Sequence, residues 1–206
     1  MAKKILCLEN LPYKANIKIG SHHYADIFSE TCDVFWLSLP FHLLQLLKDR
    51  KSDRVKNWHF NRPVSYHDRL QAFTPIVALP YRNNVVLKSD VYLKNYCRFF
   101  PFLKSFLRKG GFDQPDLAWF TDPRHISILK YVKPKKIVYR CVDNLEYFDD
   151  IPKSLIASEE RLIKLSDVVF YTSHDLKKKF EGLNANSYYL PNGCDYEYFS
   201  SPEIAD

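Results

Sequence analysis

Glycine is scarce in this chain, with five in 206 residues. No G-x-G-x-x-G run occurs, so the phosphate fingerprint of a dinucleotide-cofactor domain is missing, and its matching acidic residue with it. Cysteine is also sparse and scattered. Cys7, Cys32, Cys97, Cys141 and Cys194 form no C-x-x-C pair and are odd in number. That excludes a disulfide framework and a zinc site, and makes a reducing cytosol the expected compartment. The opening MAKKILCLE has too short an apolar stretch for a signal peptide, and no run approaches eighteen apolar residues. Repeats and low-complexity segments are absent as well.

What remains is an ordinary globular composition with a basic, aromatic bias. Hydrophobic residues make up 46%, aromatics 16%, and the formal net charge is +6. One α/β domain with a sizeable core suits this length. The charge favours anionic partners such as nucleotides, sugar phosphates or anionic lipid. No nucleic-acid reader motif accompanies it, so nucleic acid is not an expected partner.

Apolar strand-like runs alternate with helical ones. KILCLEN (4–10), DVFWLSLP (33–40), FTPIVALP (73–80), DLAWFTD (116–122), KKIVYRCVD (135–143), DVVFYTS (167–173) and NSYYLP (186–191) read as strands. A helix starts near Ser21 with Tyr24, Ile27 and Phe28 on one face, and another over 153–166 carries Leu155, Ile156, Leu162 and Ile163 at helical spacing. Residues 89–108 read as a long helix broken at Pro101, and 41–72 as a surface excursion. Repeated β-α-β order implies right-handed crossovers and a buried parallel sheet. The expected fold is a single Rossmann-like, doubly wound α/β domain, with a mostly parallel sheet of six or seven strands and helices on both faces.

Near the end stands YYLPNGCDYEYF (188–199), preceded by a strand ending in Thr172-Ser173 and the helical HDLKKKFEGL. This order resembles the close of the N-terminal domain in two-domain, GT-B-type glycosyltransferases, including bacterial surface-polysaccharide and teichuronic-acid-type enzymes. The matching positions are Thr172, Ser173, Leu190, Pro191, Asn192, Gly193, Asp195 and Phe199. The resemblance implies an acceptor-side domain over 1–199, with 200–206 beginning a linker towards a donor-binding domain. It implies sugar transfer from a nucleotide-sugar to a saccharide or lipid-linked acceptor, with the donor as substrate and no separate cofactor or metal. As a fragment, such a domain would be inactive alone. The rival expectation is a free-standing Rossmann-like binding or scaffold module without catalysis.

In an open parallel sheet, ligands lie beyond the carboxyl ends of the strands. That rule selects 10–20 after the first strand, 80–82 after the third, 122–125 after the fourth, Asp143 and Asn144 after the fifth, and 172–174 after the sixth. The candidate binding residues are Gly20, Ser21, His22, Asp122, Asn144 and Ser173, the last also an N-cap beside the strand end. By resemblance Gly20 faces the donor diphosphate. On the residues alone, Ser21 is equally a helix cap, and either His22 or His23 faces the cleft. Asp143 follows the apolar IVYRCV and is the candidate general base for an acceptor hydroxyl; a turn cap is the alternative. Asp122, before Pro123, suits a helix cap. Ser173-His174-Asp175 is no catalytic triad, because consecutive residues cannot converge. Asn192-Gly193 reads as a hinge turn. The aromatic and basic stretch 96–111 suits either a helix packed on the sheet or a face touching an anionic membrane. The latter would place the protein peripherally on the inner face of the plasma membrane.

Overall fold

A computed structural model of the chain describes residues 2–78, 81, 88–193 and 200. In chain order the strands are β1 (Lys4–Glu9), β2 (Asp33–Ser38), β3 (Phe41–His42), β4 (Val64–His67), β5 (Leu70–Phe73), β6 (Ile76–Val77), β7 (Leu117–Phe120), β8 (Lys136–Cys141), β9 (Val168–Tyr171) and β10 (Ser187–Tyr189). The helices are α1 (Gly20–Thr31), α2 (Gln45–Lys48), α3 (Asp53–Lys56), α4 (Asp90–Leu93), α5 (Leu103–Gly110), α6 (Lys153–Leu165) and α7 (Lys177–Phe180). Four 3-10 segments join them, the longest being Pro123–Lys130.

Eight strands form one sheet in the order β10-β9-β8-β7-β1-β2-β5-β4. Every pairing is parallel except β4 with β5. Successive side chains point to opposite faces, so each central strand feeds two cores. Ile5, Cys7, Val34, Trp36, Trp119 and Val138 pack beneath α1 with Ala25. Leu6, Leu8, Phe35, Leu37, Phe120 and Tyr139 belong to the larger core with Leu107 of α5 and Leu162 of α6. Aspartates staple the amino ends of the strands: Asp116 accepts from the Lys4 N–H at 2.8 Å, and Asp167 from the Ile137 N–H at 2.8 Å.

The doubly wound parallel architecture matches the expectation from sequence, with eight strands rather than six or seven. Two segments differ. The third main-sheet strand is β5, ending at Phe73, not 73–80. Pro75 has no N–H for a ladder, and past it Ile76–Val77 pairs instead with Phe41–His42 in a separate two-stranded sheet. Residues 79 and 80 lie outside the described residues. The supposed excursion 41–72 supplies β5 and, across the Asp68-Arg69 connection, the antiparallel edge strand β4. The stretch 89–108 is divided into α4, a 3-10 turn Tyr96–Phe99 and α5. Phe102 heads α5 in left-handed geometry (φ 58°), and α5 ends at Gly111 (φ 69°), a backbone region natural to glycine. Among the described residues no helix is long and apolar enough to cross a membrane.

Candidate functional site

The chain leaves β1 towards β2 and β5 on one side, and β7 towards β8, β9 and β10 on the other. The switch in strand order therefore lies between β1 and β7, where an open α/β sheet offers its crevice. A cleft of about 490 Å³ occupies that place, lined by Asn10, Gly20, Ser21, Asp122, Arg124, Arg140, Asp143 and Asn192.

The amino end of α1 forms one wall. Ile19 takes the extended cap conformation, and no acidic side chain occupies the first turn. The helix dipole and its free N–H groups are thus open to an anion. Gly20 lets the backbone come close to Arg140: a Cβ there would stand 3.3 Å from Arg140 Nη2, which would have to give by a few tenths of an ångström. Ser21 is 2% exposed, with its hydroxyl beside the buried Glu9 carboxyl. The cap role open to it on sequence falls to Ile19, helped by His22.

His22 does not line the cleft, contrary to its assignment from sequence. It is fully buried, accepts the Ile19 N–H at Nδ1 (3.0 Å) and donates from Nε2 to the Pro12 carbonyl (3.0 Å). Both ring nitrogens are spent on fastening the loop, and burial lowers its pKa. His23 is exposed and also off the lining.

The opposite wall rests on Arg140 of β8. Its guanidinium is 2% exposed, donates to Asn192 Oδ1 and lies 5.3 Å from the Tyr24 ring centre. Its Nε is buried and unpartnered. Alternation along β1 and β8 places Glu9 and Arg140 on the same face as α1. Glu9 is fully buried; Thr121 donates to its Oε2, while Oε1 lacks a hydrogen-bond partner. Burial pushes its carboxyl up to about 7, against the pull of Thr121, Ser21 and the Arg140 charge. His125 beside it donates Nε2–H to the Glu9 carbonyl at 3.0 Å, and burial lowers its pKa to about 4.

Asp122 lies in the cleft wall but as a structural acceptor. It takes the Arg124 N–H at 2.9 Å, capping Pro123–Lys130, and holds the Arg124 fork at 2.8 and 2.5 Å. Burial raises its pKa, yet the Arg124 charge and hydrogen bonds outweigh this and keep it below the usual value.

Asp143 stands exposed at the rim of the cleft. Its turn is fixed from below: Cys141 Sγ donates to the Asp143 carbonyl (3.3 Å), and Thr172 Oγ1 to the Val142 carbonyl (2.9 Å). The capping role belongs to its neighbour. Asn144 Oδ1 accepts the Glu146 N–H at 3.2 Å and Lys179 Nζ at 3.1 Å. Asn144 therefore faces away from the cleft. Ser173 caps the short turn His174–Leu176 and is likewise absent from the lining. Ser173 is thus the N-cap that its place beside the strand end suggests, and in both residues a side-chain oxygen next to free backbone N–H groups is captured by them.

Asn192, read as part of a hinge, instead lies in the cleft and holds Arg140. Neither it nor Gly193 has positive φ. Cys194, Asp195 and Phe199 lie outside the described residues. The sequence reading missed Glu9 and Arg140, while Arg124 fell inside its strand-end cluster 122–125 without a role of its own. A signal for the two it missed was present, because a charge inside KILCLE or IVYRCV must be buried and needs compensation. Among the described residues no group of His, Cys, Asp and Glu is placed to hold a metal ion.

No protein-family model and no curated protein matches the chain. Solved structures do. The sucrose-phosphate synthase from Thermosynechococcus elongatus superposes with a TM-score of 0.61 at 10% identity, over 95% of this chain and 49% of that one. A second structure of that synthase gives a TM-score of 0.51 at 11% identity, over 95% of this chain and 92% of that one. The likeness is one of fold, and the chain spans about half the length of the first.

Proposed function

We propose that the chain is the acceptor-side half of a GT-B-type glycosyltransferase that moves a sugar from a nucleotide-sugar to a saccharide or lipid-linked acceptor in surface-polysaccharide synthesis. The observation that carries this is the cleft at the strand-order switch. There the amino end of α1, Ser21 and the Arg140 guanidinium converge on one open space with Asp143 at its rim. Such a cradle suits a diphosphate, whose charge it meets with backbone N–H groups, a hydroxyl and a fork of donors. The likeness in fold to one half of a sucrose-phosphate synthase, and the order of the Thr172-Ser173 and Leu190–Gly193 motifs, support the same reading.

In this mechanism Asp143 takes the proton from the acceptor hydroxyl as it attacks the anomeric carbon. Arg140 and the α1 terminus balance the charge that grows on the departing diphosphate. The exposed Phe99 and Phe102, close in sequence to Arg98 and Lys104, form a face that meets an anionic membrane carrying a lipid-linked acceptor.

The test joins the chain to a donor-binding half and supplies radiolabelled nucleotide-sugars with extracted lipid acceptors. Label should reach the acceptor, and Arg140→Gln should weaken donor use. Absence of transfer with every donor would overturn the proposal.

A further inference from the structure

Arg124 lines the main cleft on one side and, on another, a smaller cavity of about 160 Å³. Its walls include Pro40 after β2, Gln45 of α2, Arg54 of α3 and the rings of Tyr81 and Tyr96. Arg54 is fixed from one end: its Nη2 donates to the Asn10 carbonyl at 3.1 Å and to Asn10 Oδ1 at 2.7 Å. Its Nε is buried without a hydrogen-bond partner. Among the described residues no carboxylate forms an ion pair with it.

Arg124 is already matched by Asp122, which takes its Nε and Nη2. Arg54 lies near enough for the two positive charges to oppose each other. Burial, with that repulsion second, lowers the pKa of Arg54. Two guanidiniums against one carboxylate leave a positive charge without compensation in a half-enclosed space. Such a charge is costly unless something anionic meets it. Guanidinium forks are shaped for the oxygens of phosphate or carboxylate.

We propose that this cavity is a second anion subsite, taking a phosphate or carboxylate carried by the acceptor sugar. The inference rests on the glycosyltransferase reading of the main cleft, which it extends. The donor's diphosphate has its own cradle at α1 and Arg140. The second cavity adjoins that cleft through Arg124, and Asn10, which holds Arg54, lines the cleft as well. Its volume suits a single charged group, with the sugar ring left in the larger space. The acceptor class is therefore an acidic or phosphorylated saccharide.

Titration calorimetry on the chain at low salt, with glucose 6-phosphate, glucuronate and neutral glucose, tests this and separates phosphate from carboxylate. At least one anionic sugar should bind more tightly than glucose. Arg54→Gln should weaken that binding about tenfold or more, the loss of a hydrogen bond to a charged group. Lys133→Gln, at an exposed lysine that lines neither cavity, should leave it within about twofold. Mass mapping of phenylglyoxal modification on the unmutated chain provides a second reading, in which the anionic sugar should shield Arg54. Three results overturn the proposal: equal binding of neutral and anionic sugars, binding kept in Arg54→Gln, or Arg54 unshielded. Pyrophosphate binding that persists alongside any of these leaves the glycosyltransferase reading standing.

Discussion

Below the cleft, Glu9 and His125 are both fully buried and joined by the bond from His125 Nε2 to the Glu9 carbonyl. Their titrations oppose each other. Glu9, raised to about 7, binds a proton more tightly in the folded state, so its stabilising share is full below about 4.5 and is lost as pH rises through 7. His125, lowered to about 4, refuses a proton that the unfolded chain accepts, so stability is lost as pH falls from 6.5 through 4. Each amounts to about 3 kcal/mol at full extent, and between roughly 4.5 and 6.5 the two slopes cancel. Single variants should separate them. Relative to the unmutated chain, Glu9→Gln should lose stability more steeply towards acid, and His125→Gln more steeply towards neutral pH. Denaturant midpoints between pH 4.5 and 7 measure this, and parallel curves for all three proteins would refute it. Asp143 behaves differently, being exposed and unpaired among the described residues. On the proposed reading, Asp143→Asn in the chain joined to a donor-binding half should lower kcat by about a hundred- to ten-thousandfold with the melting temperature nearly unchanged. A normal kcat would remove it from catalysis. At this scale the sequence disclosed position better than role. Strand ends brought Gly20, Ser21, Asp122 and Asp143 to one cleft, but whether an Asn or Ser caps a turn depends on which N–H groups it finds. Arg140 and Glu9 were hidden because apolar strands draw attention away from the charge they contain.

Strands built on continuous apolar runs were legible, down to the four-residue β7 and β9 and the three-residue β10; β4 and β5 were not. β1, β2 and β8 announce themselves by continuous burial, and α1 and α6 by spacing. β4 and β5 mix the polar Ser65, His67 and Gln71 into short runs, and their pairing is decided by contact, of β5 with β2 and of β4 with β5, rather than by local preference. The α5 region shows a similar override. Phe102 is 67% exposed and sits at φ 58°, a geometry that costs a non-glycine residue about 1 kcal/mol or more. Its ring meets Phe106 only edge-on, at 6.3 Å. Replacing it by glycine removes the strain but adds disorder to the unfolded chain, and the net change in stability should stay within about 1 kcal/mol. If this face touches lipid, Phe102→Gly should nevertheless reduce co-sedimentation with anionic vesicles and leave neutral vesicles unaffected. Unchanged sedimentation with anionic vesicles would assign the exposed ring no membrane role.

At the scale of the molecule, a fold shared at 10% identity shows that the doubly wound sheet tolerates almost any sequence with the right pattern of burial. Function must therefore come from the cleft. Gly20 and the buried Arg140 stand on its two walls, and Asp143 is exposed at its rim. On the proposed reading, acceptor deprotonation at the exposed Asp143 weakens in bulk water, where a charge pair feels a dielectric constant near 80 rather than about 20 at a protein surface. Water at the anomeric carbon would also compete with the acceptor hydroxyl. The 206-residue chain alone should therefore bind anions weakly and transfer no sugar, while the same chain joined to a donor-binding half should do both. Incubation of each form with radiolabelled nucleotide-sugar and acceptor decides the matter. Robust transfer by the chain alone would mean that its open cleft is a complete active site. Binding without transfer in the joined form would favour a ligand-carrying module over an enzyme.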